Sequence, residues 1–138
     1  MGARATSPPP INSIVIRLPP AIESAEETRE LVDDLIAGDD LDDVRFRTRL
    51  LASELVSNSI LHAHLGPLDS IALEIGVNAE RVRVEVRHPG SGLRPRIAAS
   101  GTTANPGRGL VLVGALSDRW GFSGRGLTRV WFEIDMPD

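Results

Sequence analysis

The chain has 138 residues, enough for one domain with a sizeable core, and its apolar and charged fractions of 41% and 25% are those of an ordinary globular protein. A net charge of −4 gives no electrostatic case for nucleic acid as a direct partner, and no apolar run reaches the length of a membrane span. Cysteine is absent, which excludes disulfides and thiolate chemistry, fits a cytoplasmic location, and restricts any metal to oxygen or imidazole ligands.

Met1 to Pro10 carries one Arg and three Pro without an apolar signal core. It reads as a disordered tail, so residues 1–12 are set apart from a single domain at 13–138. Ser13 to Leu18 is short and β-branched, and Pro19-Pro20 stops it, as expected of a strand near a sheet edge. Glu23 to Ile36 has helical apolar spacing with acids early in the run, and Gly38-Asp39-Asp40 ends it. A longer helix is predicted from Asp42 to Ala63, with a turn over His64 to Pro67. Ile71 to Val77 and Arg81 to Arg87 alternate with period two and are joined by Asn78-Ala79-Glu80, the pattern of a β-hairpin. Val82, Val84 and Val86 then face the core, and Arg81, Arg83, Glu85 and Arg87 face water.

From His88 to Arg108 the composition turns to Gly, Pro, Ser and Thr, and the stretch reads as a long loop. Gly109 to Ser117 is an apolar helix. Arg119 to Phe122 and Leu127 to Ile134 are two closing strands around a Ser123-Gly-Arg-Gly126 turn. Trp120 and Trp131 are expected in the core or at its margin. The acids Asp33, Asp34, Asp39, Asp40, Asp42 and Asp43 are expected to be solvated around the first interhelical turn.

Two features carry chemistry. Glu54 and Asn58 lie four residues apart in the second helix, hence on one face, one turn above the other. A helix that buries its apolar side gains no stability by turning an anion and an amide to the same place. The pair suits proton transfer beside a metal or phosphate oxygen, although such a pair in isolation is more often a solvated stripe. Gly107-Arg108-Gly109 stands directly ahead of the apolar helix. There glycine amides, the helix dipole and a guanidinium suit an anion. Alone, Gly-x-Gly is weak evidence, and it is neither a Rossmann nor a P-loop pattern.

The order of parts is more specific than either feature. A helix with Glu54-Leu-Val-Ser-Asn58-Ser-Ile-Leu-His62 precedes a hairpin that runs into His88-Pro-Gly90-Ser-Gly92. Then come a glycine-rich stretch, Gly107-Arg-Gly-Leu-Val-Leu-Val ahead of a helix, and a final strand bearing Thr128. This resembles the ATP-binding domain of the GHKL superfamily, which includes gyrase, histidine kinases and MutL. Gly107 to Gly121 looks most like its anti-sigma-factor serine/threonine kinase branch. The resemblance covers nearly the whole chain after Pro10.

It implies an α/β (α+β) two-layer sandwich, with helices on one face of a mixed, mostly antiparallel sheet. It implies ATP and Mg²⁺ as ligands, with Asn58 holding the metal and Glu54 acting as general base toward a serine or threonine hydroxyl. Gly107, Arg108 and Gly109 would cradle the phosphates, Gly90 and Gly92 would border the adenine, and Thr128 would contact the base. The implied partners are a sigma factor and an anti-anti-sigma protein of the STAS type, with a homodimer as the implied assembly. His62 matches the family pattern in a structural role at the helix end. One position departs: the family has Asp where this chain has His88, and that carboxylate accepts from the adenine amine. A neutral imidazole can accept one bond, but a protonated one accepts none. A binding module that keeps the fold while ATP binding is weakened or lost is therefore the alternative expectation. A histidine-kinase catalytic domain is disfavoured, because no helical hairpin with a phosphoacceptor His precedes the domain.

Overall fold

Alternation of β-branched and polar residues builds the sheet. Its strands are β1 (Asn12–Leu18), β2 (Ile71–Val77), β3 (Arg81–Pro89), β4 (Arg119–Ser123) and β5 (Leu127–Asp135), paired in the order β1-β2-β3-β5-β4. Every pairing is antiparallel. The structure, a computed structural model, describes residues 12–89, 104–124 and 126–138, with the backbone alone for 12 and 104–109. The expected tail, apart from residue 12, lies outside the described residues, as do Gly90 and Gly92.

The three helices among the described residues, α1 (Glu23–Leu35), α2 (Asp42–His62) and α3 (Ala104–Leu116), belong to one layer. A 3-10 turn at Asp39–Leu41 joins the first two. The middle helix, α2, lies over β2, β3 and β5 and is flanked by α1 and α3. Its Leu51, Ala52, Leu55 and Val56 meet Leu73 and Ile75 of β2, Val82, Val84 and Val86 of β3, and Phe132 and Ile134 of β5 in one core. Leu110 and Val113 of α3 complete it. Each large side chain buried there contributes roughly 1.5–3 kcal/mol. The two-layer sandwich expected from the sequence is the architecture found, with β1 at an edge.

Two boundaries differ from expectation. β3 runs on through His88 and Pro89, which pair with Thr128 and Leu127 of β5, so His88 belongs to a strand and not to a loop. Proline is tolerated there because it ends the strand. The third helix begins at Ala104, five residues ahead of Gly109. Asn105-Pro106-Gly107 reads as a breaker in the sequence, yet proline fits the first turn of a helix, where its missing N–H has no helical partner. Beyond α2, His64 has a φ of 54° and is exposed in the turn expected for it.

The opposite face of the sheet carries charge. Arg87 reaches Glu74 at 3.0 Å and Glu85 at 2.8 Å, while Arg83 and Arg129 reach Glu85 at 3.0 and 3.2 Å. Burial pushes the Glu85 carboxyl up, but the guanidiniums of Arg87, Arg83 and Arg129 outweigh it and hold the group below the ordinary glutamate value. Trp120 packs at the core margin as expected. Trp131 does not: its register opposite Glu85 and Gly121 turns it to the charged face, under the Arg83 guanidinium at 4.8 Å. Period two decides this, since Phe132 takes the inward position.

A Cβ at Gly121 would lie 2.9 Å from Trp131 Nε1. Gly121→Ala should therefore displace the indole, cost about 1–3 kcal/mol of stability by overpacking, and shift the tryptophan emission. Chemical denaturation followed by fluorescence checks both, and an unchanged midpoint would show that Trp131 is free to move aside.

Candidate functional site

The helix that carries Glu54 and Asn58 is rich in charge, and nearly all of that charge is engaged. Arg45 pairs with Asp42, Arg47 meets Asp43 at 3.0 Å, and Arg49 meets Asp33 at 3.1 Å. Among the described residues the side chains of Glu54 and Asn58 have no hydrogen bond or ion pair, although both residues are half-buried. A partly desolvated carboxylate without a partner adds nothing to folding. Such a group is available to a ligand.

Arg47, Glu54 and Asn58 share one flank of α2, spaced by seven and then four residues. Arg47 fixes what lies beside that flank. Its Nη1 donates to the Leu116 carbonyl oxygen at 2.9 Å, which ties the last turn of α3 to the first third of α2. The sequence reading missed this residue, because the contact joins positions 69 apart. The signal available was the shared flank of Arg47 with Glu54.

Gly107, Arg108 and Gly109 lie inside α3, not ahead of it. In a helix that starts at Ala104, the amides of Arg108 and Gly109 fall to the carbonyls of residues 104 and 105. The amides left without helical partners lie ahead of Gly107, and Pro106 has none. The expected position is thus corrected: the three residues expected ahead of the helix belong to its first two turns.

His88 and Thr128 come together as direct cross-strand partners on the helix-facing side, 5% and 8% exposed. They sit one row beyond Val86 and Val130, under the layer that contains α2. His88 Nδ1 lies 3.0 Å from the Pro89 carbonyl oxygen. A carbonyl only accepts, so Nδ1 carries the hydrogen and Nε2 is the bare acceptor of the neutral ring. Burial pushes the imidazole below the ordinary histidine value, and the bond to Pro89 offsets this only in part. No charged side chain contributes to that shift among the described residues. Two polar side chains buried at the end of a sheet, one a fixed acceptor and the other a hydroxyl, suit the polar edge of a planar heterocycle.

His62, in the last turn of α2, is half-buried at the helix end expected for it. Among the described residues no three His, Asp or Glu side chains gather as a metal site, and no helix is long and apolar enough to cross a membrane. A cleft of about 190 Å³ lies on the opposite face of the sheet between Glu74, Arg83 and Glu133, and holds none of these residues.

Over residues 18–134 the chain matches the histidine kinase-like ATPase domain family. It belongs to that family. The match spans β2 to β4, nearly all of β5, the three described helices and every expected site residue, and the family implies nucleotide binding. Comparison with curated proteins gives no match.

The tautomer and titration of His88 are open to measurement. Nitrogen-resolved NMR should show the Nδ1-protonated neutral form at pH 7, with a midpoint below the ordinary value of 6.5. Since the folded state disfavours the imidazolium, this residue's contribution to stability is complete above the unfolded value and declines as pH falls below it. A midpoint above 6.5, or an Nε2-protonated ring, would refute the assignment.

Proposed function

We propose that this histidine kinase-like ATPase domain binds ATP with Mg²⁺ and phosphorylates a serine or threonine of an antagonist protein, in a partner switch that frees or sequesters a sigma factor. The observation that carries the reading is the half-buried Glu54 without a partner, on a helix whose neighbouring charges are paired, with Asn58 one turn beyond. In this reading Glu54 accepts the proton of the attacking hydroxyl. The hydroxyl oxygen bonds to the γ-phosphorus, the bond to the β–γ bridging oxygen breaks, and ADP leaves. Asn58 would hold Mg²⁺ through its amide oxygen, and the ion would supply neutralisation of charge on the phosphates. Arg108 and the first-turn amides of α3 bind the phosphates, with Gly90 and Gly92 bordering the adenine. His88 Nε2 and Thr128 receive the edge of the base.

A second reading, a partner-binding module of the same fold without kinase activity, is favoured by His88 alone. A neutral ring replaces the carboxylate that the resemblance implies, and a weakened acceptor costs about 1–3 kcal/mol, or roughly one to two decades of affinity. In either reading, partner exchange takes place in the cytoplasm.

Incubation with Mg-ATP and a serine-bearing candidate antagonist tests the first reading. Phosphate transfer is expected, and Glu54→Ala should lower its rate by about 10²-fold or more while ATP affinity changes little. Transfer untouched by Glu54→Ala would remove Glu54 as the base.

A further inference from the structure

The sheet face turned away from the helices holds a second feature that ATP chemistry does not use. Cross-strand register places Arg17, Ala72, Arg87, Arg129 and Ser123 in one row across all five strands. Arg87 and Arg129 are direct partners, and like charges directly opposite each other are destabilising in a sheet. Glu74 and Glu85, in the adjacent row, offset part of that cost. Among the described residues Arg17 has only the Ser70 hydroxyl, at 3.2 Å.

The imbalance extends over the face. Arg17, Arg81, Arg83, Arg87, Arg119 and Arg129 outnumber Glu74, Glu85, Glu133 and Asp135, although the chain as a whole carries −4. No described element covers this side. Val15 is 54% exposed and Leu127 40%, one on either side of the arginine row, with the half-buried Trp131 next to it.

We infer that this face docks an acidic, extended segment of a partner protein, whose carboxylates meet Arg17, Arg87 and Arg129 while its apolar side chains rest on Val15 and Leu127. Strands about 4.8 Å apart put Arg17 and Arg129 roughly 14 Å from each other. An extended chain brings carboxylates at alternate positions to the same side every 6–7 Å or so, which fits that span. Arginine beside an aromatic ring is a common centre of protein interfaces. Nucleic acid suits the face less well, because Glu74, Glu85 and Glu133 interrupt it and would repel a continuous phosphate backbone.

Fluorescence anisotropy tests the docking with a labelled peptide that alternates glutamate with valine or serine, beside an oligothymidine of equal charge. The peptide should bind, more weakly as salt rises. Arg17→Glu combined with Arg129→Ala should weaken it at least about tenfold, and Arg49→Ala on α2 should leave it unchanged. Arg17→Glu alone, at an exposed position, keeps the fold and should still weaken binding by about threefold or more. Absence of binding, equal affinity in the arginine variants, an equal loss in Arg49→Ala, or tighter binding of the oligothymidine would each overturn the inference.

Discussion

In the register between β3 and β5, Val84 meets Phe132, Val86 meets Val130 and His88 meets Thr128. A slip of one residue would send each of these to solvent and turn Arg83, Glu85 and Arg87 into the core. Burying those charges would cost far more than the sheet gains, so the pattern excludes every slip by an odd number of residues. The rest of the molecule follows from it. The valines and Phe132 give α2 a surface to lie on, α2 carries Glu54 and Asn58, and the end of the same row closes on the His88–Thr128 pair. The alternate positions make the arginine-rich outer face.

Much of this was legible in the sequence because it rests on local periodicity. The alternation in Arg81 to Arg87 predicts both faces of β3, and the run from Asp42 gives α2 to within one residue at its C-terminus. What failed had non-local causes. His88 and Pro89 have loop-like neighbours, and only their pairing with Thr128 and Leu127 holds them in the strand. Asn105-Pro106-Gly107 is a breaker by composition but a permissible first turn. Trp131 was misplaced because an aromatic residue suggests core, whereas parity sends it to Arg83. Of the site, the two α2 residues could be found from spacing, but their lack of partners could not. Nor could sequence show Arg47 gripping the Leu116 carbonyl.

His88 is where fold and chemistry pull apart. The surrounding geometry makes it as good an acceptor as an imidazole can be. Burial keeps it neutral, and the Pro89 carbonyl fixes the hydrogen on Nδ1, so Nε2 is available. It still lacks the charge of a carboxylate, and charge-assisted bonds are about twice as strong as neutral ones. Under the proposed function, such a site would bind the base more weakly than one with a carboxylate and would respond to acid in a way a carboxylate would not.

The central claim is that this domain holds ATP through Glu54's helix at one end and a neutral His88 at the other. Calorimetric titration with Mg-ATP at about pH 7.5 and about pH 5.5 tests it most directly. The account predicts saturable binding at the higher pH, weakening as pH falls through the His88 midpoint, which lies below the ordinary histidine value, and loss of that pH dependence in His88→Asp. Absence of binding at millimolar nucleotide at both pH values, unrelieved by His88→Asp, would contradict it.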